Sequence, residues 1–510
     1  MSLINIENLS HANGGKQLYK NSAVKINKGE HIALVGANGA GKTTLLNIIA
    51  GKINPDQGEI EIHPKAKIGY LDQHQEIDGN LTVDQFLKLT YQDLFDIEKK
   101  IHDLYEQMSV EYDEDLLVRA LKLQEFLDQN DFDIIDKKIR SLVDGLGIDP
   151  EHLERKLATL SGGQRGKIIL AKLLLSKNDF LLLDEPTNFL DIEQVEWLAK
   201  FLQNYENAYL LVSHDIDFIN KTARIIYAVE NLEINRYVGD YNKYLELSEL
   251  KQDQYAKSQQ AQTKLIKKLE TYVAKNAARA STAKSAQSRQ KQLEKIEVLD
   301  KQQTLAKPKF SFKYKKPSST VIISANNLAI GYSFPLIDPL TFKIRDGEKC
   351  IVRGYNGIGK TTFLNTIAGV IPPLSGEFEL GNNVSIAYFH QIDNVNDFTP
   401  IEYLKNIYPD MEEGKVRSTI ANFGVKNTLM QNKMEQLSGG EQTKVRLAAL
   451  SLQPCSLLIL DEPTNHIDVL AKEALLEAIK AFPGTVLITT HDINFSTNWA
   501  DRVLDFEKLI

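Results

Sequence analysis

Short apolar runs without alternation recur along the chain. His31-Ile-Ala-Leu-Val35, Phe180-Leu-Leu-Leu183 and Ala208-Tyr-Leu-Leu-Val212 lie in the first half, and Cys350-Ile-Val352, Ser456-Leu-Leu-Ile-Leu460 and Thr485-Val-Leu-Ile488 in the second. Runs this short, with no polar face, suit strands covered on both sides of a largely parallel sheet. Each half also opens on strand-like alternation, Leu3-Ile-Asn-Ile-Glu7 and Val321-Ile-Ile-Ser-Ala325. Strands alternating with helical segments predict an α/β fold. Two stretches depart from this plan. Phe95 to Leu104 and Leu117 to Phe126 carry apolar residues at helical spacing, which predicts a helical arm within about 81–149. From about Leu245 to Pro317 the β patterning stops. Leu265, Leu269 and Tyr272, then Leu293, Ile296 and Leu299, recur at spacings of three and four. They predict two helices paired as an antiparallel hairpin through one apolar seam.

The chain repeats itself. Gly36 to Thr44 recurs as Gly354 to Thr362, at an offset of 318 shared by Gln73 and Gln391. Leu160-Ser-Gly-Gly recurs as Leu437-Ser-Gly-Gly, Asp-Glu-Pro-Thr-Asn at 184 recurs at 461, and His214 recurs as His491, all at an offset of 277. The first copy therefore carries 41 extra residues between its glutamine and its Leu-Ser-Gly-Gly, where the helical arm is predicted.

These repeats carry chemistry. Gly-x-x-x-x-Gly-Lys-Thr between a strand and a helix is a phosphate-binding loop. Its glycines let backbone N–H groups converge on phosphate oxygens, and the helix that follows points its positive end at the same anion. Gly36, Asn38, Gly39, Gly41, Lys42, Thr43 and Thr44 form the first loop, and Gly354, Asn356, Gly357, Gly359, Lys360, Thr361 and Thr362 the second. The lysines are expected on the β- and γ-phosphates, and the Thr43 and Thr361 hydroxyls on Mg²⁺. Asp184 and Asp461 close apolar strands and are expected to hold the metal. The adjacent Glu185 and Glu462 are placed to polarise an attacking water. His214 and His491 follow another buried strand and are expected near the γ-phosphate. Gln73 and Gln391 are candidate sensors of metal and water.

Composition changes this picture at one place. At 510 residues the chain calls for two or more domains. It is 43% hydrophobic and 25% charged, with no apolar run long enough for a transmembrane helix. The first residues lack a signal-peptide pattern, and Cys350 and Cys455 read as buried thiols in a reducing compartment. The net charge of −8 argues against bulk attraction to nucleic acid. Yet Lys251 to Lys291 holds ten basic residues and two acids, a local +8. Lys275, Arg279, Lys284 and Arg289 fall at the expected hairpin tip, among small residues. A projecting basic tip is an electrostatic footprint for a phosphate backbone.

Phosphate loop, glutamine, Leu-Ser-Gly-Gly, Asp-Glu-Pro-Thr-Asn and histidine, in that order and twice over, resemble the ATP-binding-cassette superfamily. The resemblance implies two P-loop NTPase domains in which each Leu-Ser-Gly-Gly covers the nucleotide held by the other. Ser438, Gly439 and Gly440 would cap the site of Lys42, and Ser161, Gly162 and Gly163 that of Lys360. Asp191 and Asp468 match aspartates that couple the two sites. Tyr332 matches the aromatic residue that stacks on adenine. The equivalent position in the first domain is Gly14, with His11 and Tyr19 nearby. Tandem cassettes joined by a basic hairpin are similar to the ABC-F family of ribosome-binding ATPases. That resemblance implies a cytoplasmic monomer with an intramolecular cassette sandwich and no membrane partner. It implies binding near the ribosomal E site, with rRNA and tRNA toward the P site as contacts, and a role in relieving stalled translation or protecting it from antibiotics. The expected units are 1–245 with the arm, 246–317 as the hairpin and 318–510. The alternatives are a fused ATPase subunit of an importer, which has no need of the hairpin, and a DNA-repair ATPase, which carries zinc cysteines or longer coiled coils.

Overall fold

The computed structural model describes residues 2–71, 78–110, 113–276, 283–294, 296, 308–390, 397–465, 467–490, 495 and 499–509. Each half is built on a sheet whose central strands are the apolar runs. In the first half the strand order is Ile68–Leu71, Phe180–Asp184, Ala208–Val212, His31–Gly36, Ile225–Glu230 and Glu233–Val238, parallel except for the last pair. In the second half Ile386–Phe389, Leu457–Asp461, Thr485–Thr489, Lys349–Arg353 and Arg502–Asp505 are parallel throughout. Alternate residues of one strand enter different cores. Phe180 and Leu182 pack with the phosphate-loop helix Lys42–Ile49, while Leu181 and Leu183 pack with the helices Gly162–Leu175 and Ile192–Gln203. Leu457 and Ile459 divide from Leu458 and Leu460 in the same way. All eight side chains are fully buried, which explains the absence of alternation in their sequences.

A smaller antiparallel sheet covers each phosphate-loop helix. Ser2–Asn13 lies between Lys16–Asn27 and Gln57–Ile62, and Val321–Ala329 lies between Leu340–Arg345 and Ser375–Leu380. The central strand of each carries an irregularity after Glu7 and after Asn326. Opposite it sits a glycine with positive φ, Gly58 at 111° and Gly376 at 87°. A Cβ on Gly376 would fall 2.1 Å from the carbonyl oxygen of Asn327, so only glycine fits there.

Within the stretch particular to the first half, helices Gln92–Val110 and Glu114–Gln129 pack against each other. Asp113 starts the second of them, its carboxylate accepting the N–H of Asp115 at 2.8 Å. The long helix Tyr241–Asn276 contains neither glycine nor proline, so nothing in its sequence breaks it. It is rooted in the first half, where Tyr244 and Ser248 donate to the Glu230 carboxylate at 2.8 and 3.0 Å. The returning helix Ala283–Glu294 packs along it. The expected seam is narrower than its pattern. Leu269 is buried, but Leu265 and Tyr272 keep 48% and 39% exposure. Two isolated helices bury only the line along which they touch, so the flanking apolar positions stay on the rim. Leu299 lies outside the described residues. The chain then docks on the second half through Phe310, stacked on Phe423 with centroids 4.5 Å apart.

Gly376→Ala is expected to lower the thermal unfolding midpoint by roughly 5–10 °C, because backbone must move. Gly14→Ala, where a Cβ would meet open space, is expected to cost about 2–4 °C from its positive φ alone. Equal shifts in scanning calorimetry would contradict this account of the irregularity.

Candidate functional site

The phosphate loops take the shape their glycines predict. Gly36, Gly39 and Gly41 have φ of 154°, 67° and 104°, and Gly354, Gly357 and Gly359 have 151°, 91° and 107°. Each final glycine is the left-handed N-cap of the helix that begins with the lysine. Tyr19 is fully buried beneath the first loop and donates its hydroxyl to the carbonyl of Gly41. The lysines are buried and fold back onto their own loops. Lys42 Nζ donates to the carbonyls of Gly36 at 2.9 Å and Ala37 at 3.3 Å, and Lys360 Nζ to those of Gly354 at 2.6 Å and Tyr355 at 3.2 Å. Burial lowers the proton affinity of both, and the acid pairs opposite oppose that shift. Thr43 and Thr361 are exposed at the helix start, whereas Thr44 is half-buried and Thr362 buried behind them.

The acid pairs stand at the ends of buried strands. Asp184 accepts a hydrogen bond from Thr43, and its carboxyl is held above the usual range by burial. Asp461 Oδ1 accepts from the Thr489 hydroxyl at 2.7 Å, while Oδ2 is buried with no hydrogen-bond partner among the described residues. A divalent cation would satisfy such an oxygen, and Thr361 lines the same cleft, so the donor set fits Mg²⁺. The next residues, Glu185 and Glu462, have φ of 48° and 49°, a left-handed conformation that side-chain-bearing residues rarely adopt. The backbone is held there by bonds from Glu185 N to the carbonyl of Val212 at 2.9 Å and from Glu462 N to that of Thr489 at 3.2 Å. Matching outliers at matching positions mark these two acids more sharply than any pattern in the sequence. Glu185 Oε2 accepts the N–H of His214 at 3.2 Å, and Oε1 lies 3.4 Å from His214 Nε2. Glu185 keeps 15% of its side chain accessible at the cleft, and burial pushes its carboxyl up to about 7.

The two halves meet as a sandwich. Asp191 Oδ1 accepts the N–H of Asn356 in the second phosphate loop at 2.8 Å, and Lys472 Nζ donates to the carbonyl of His214 at 3.4 Å. A cleft of about 1320 Å³ brings Ser161 and Gly163 of the first half to Lys360, Thr361, Glu462 and Tyr332 of the second. At the first site the helix Gly439–Ser451, capped by Ser438, faces the phosphate loop, with Glu441 against Gly39. Ser161 and Ser438 both cap their helices, in capping boxes with Gln164 and Glu441. Gly162, Gly439 and Gly440 open the same helices. Tyr332 is 69% exposed and available as a platform for a base. The first site differs. His11 is buried with Nδ1 3.5 Å from Asp56, and the Tyr19 ring is buried, so neither offers a face. Gln73, Gln391, His491 and Arg279 lie outside the described residues, as does the side chain of Lys284. Lys275 and Arg289 are exposed on the hairpin, far in sequence from both clefts. Two residues escaped the sequence reading: Lys472, which reaches across to His214, and Lys444, whose buried ammonium pairs with Asp468. Neither sits in a motif, and only the folded contact reveals them.

Two phosphate loops, each completed by the Ser-Gly-Gly helix of the other half, define a tandem ATP-binding-cassette ATPase. The ABC transporter family matches residues 19–188 and 337–465, and a second family, also described as ABC transporter, matches 227–312. The chain is 41% identical to the Bacillus subtilis ABC transporter ATP-binding protein YfmM, over 100% of this chain and 99% of that one. It is 32% identical to ABC transporter F family member 5 of Arabidopsis thaliana, over 99% of this chain and 75% of that one. The chain belongs to the ABC transporter F family. Among solved structures, the archaeal ribosome recycling factor aABCE1, in complex with the ribosomal stalk protein aP1, shares the tandem-cassette fold. Its TM-score is 0.61 at 20% identity, covering 98% of this chain and 87% of that one. Among the described residues no helix is long and apolar enough to cross a membrane.

An unfolded glutamate titrates near 4.5, whereas the folded Glu185 carboxyl protonates near 7. The folded state therefore loses stability as pH rises from about 4.5 through 7, where the buried group must ionise. In EDTA and without nucleotide, Glu185→Gln is expected to raise the thermal midpoint at pH 8 and to give little gain at pH 5. A gain that does not change with pH would contradict the assignment.

Proposed function

We propose that this chain is an ATP-driven ribosome-binding factor whose cassettes close on two ATP molecules and reopen on hydrolysis. The observation that carries the reading is the hairpin. A chain of net charge −8 concentrates +8 between Lys251 and Lys291, on helices rooted in the first cassette. A basic rod fixed to a nucleotide-driven clamp suits a target with a dense phosphate backbone. In this reading 1–245 and 318–510 are the ATP-binding units, and 246–317 reads RNA through Lys275, Arg279, Lys284 and Arg289. Binding near the E site, with the hairpin toward tRNA in the P site, follows from the family resemblance, as do the cytoplasmic setting and the monomeric state. Relief of stalling and protection from antibiotics are the two outcomes of such binding.

The chemistry asks mainly for position. Lys42 and Lys360 leave the carbonyls they now satisfy and turn to the β- and γ-phosphates. Ser438, Gly439 and Gly440 close the first ATP, and Ser161, Gly162 and Gly163 the second, with donors already aligned at helix starts. Thr43, Asp184 and Gln73 would hold one Mg²⁺ and Thr361, Asp461 and Gln391 the other, which when bound neutralises charge on the β- and γ-phosphates. Glu185 and Glu462 orient the attacking water and accept its proton, and His214 and His491 steady the γ-phosphate. Tyr332 stacks on the base of the second ATP.

The Glu185→Gln, Glu462→Gln double variant is expected to pellet with ribosomes in ATP and not without it. Pelleting under neither condition would remove the ribosome from the proposal and turn the search to membrane partners and DNA. Neutralising Lys275, Arg279, Lys284 and Arg289 together is expected to weaken that binding and to flatten its dependence on salt by up to about four counterions. An unchanged salt slope would rule out the hairpin tip as the contact.

A further inference from the structure

We propose that Lys16 of the first cassette and Glu441 of the second form a charge pair across the interface that holds the first nucleotide site closed, and that the second site has no such pair. The inference rests on the ATP-driven closing proposed above. Lys16 starts the second strand of the small sheet, just past the Gly14-Gly15 turn, and its ammonium donates to the carbonyl of Gly39 in the phosphate loop. Glu441 approaches the same glycine from the other cassette. A Cβ on Gly39 would stand 3.3 Å from both the Glu441 Oε1 and the Lys16 Nζ. The two charges thus converge on one phosphate-loop residue, and each acts electrostatically on the other, with Lys426 of the second cassette opposing.

The arrangement is particular to this site. At offsets of 318 and 277 the counterparts are Phe334 and Gln164, an exposed aromatic and a neutral amide. The capping function is the same in both cassettes. Gln164 Oε1 accepts the N–H of Ser161 at 3.0 Å, and Glu441 Oε2 accepts that of Ser438 at 3.0 Å. A glutamine therefore suffices for the cap, and the charge of Glu441 serves something else. A carboxylate beside the phosphate loop repels the polyphosphate bound there. Lys16, exposed at the rim of the cleft beside the same glycine, offsets that repulsion and ties the first cassette to the helix that covers its nucleotide. Where the second site has Tyr332 to grip a base, the first site has an ion pair to grip the opposite cassette.

The test is release of labelled ATP from the Glu185→Gln, Glu462→Gln chain, carrying Lys16→Met, Glu441→Gln or both. With Lys16→Met, one of the two retained ATP molecules is expected to leave roughly fivefold faster. With Glu441→Gln added, release is expected to be no faster than with Lys16→Met alone, and its acceleration by salt to fall. Additive effects would overturn the pair and make Lys16 a contact of the nucleotide itself. Equal acceleration of both ATP molecules would overturn its assignment to the first site. A parent chain that retains no ATP would overturn the closing mechanism and this inference together, which separates that failure from the others.

Discussion

Each phosphate loop is only half of a nucleotide site, and the other half comes from a helix that begins hundreds of residues away. A helix N-terminus aimed at an anion is favourable only while the anion is there and the gap is small. The two cassettes are therefore tied to each other mainly through what lies between them. Among the described residues, bonds that cross the interface sit at the sites: Asp191 to the second phosphate loop and Lys472 to the histidine loop of the first. In the proposed cycle the sandwich would depend on nucleotide, and the hairpin, rooted in one cassette and followed by a segment docked on the other, would respond to it.

The fold was legible because its cause is local. A strand buried on both faces must be apolar at consecutive positions, and Phe180 to Leu183 and Leu457 to Leu460 are, each residue serving one of two cores. The phosphate loops and helix caps were legible for the same reason: glycine, lysine, serine and their spacing act within a single turn. The repeat then placed the second site once the first was read.

What escaped the sequence joins distant residues or concerns geometry rather than identity. Lys16 and Glu441 are separated by more than four hundred positions, and neither belongs to a motif that names the other. The lost base platform of the first site showed as a gap at Gly14, but the reason that His11 and Tyr19 do not fill it is tertiary: one is buried beside Asp56 and the other holds up the phosphate loop. The hairpin seam was overread because periodicity gives the side of a helix that is apolar, and not how much of it a single partner helix can cover.

The left-handed backbone of Glu185 and Glu462 has a consequence for how this chain can change over time. Such a conformation costs on the order of 1–3 kcal/mol per residue when it carries a long side chain, and glycine or asparagine would relieve it. Random substitution at these two places would thus make the protein sturdier while removing the water-orienting role proposed for them. Drift toward robustness alone would tend to turn an engine into a clasp, first at one site and then at the other, with the surrounding architecture intact.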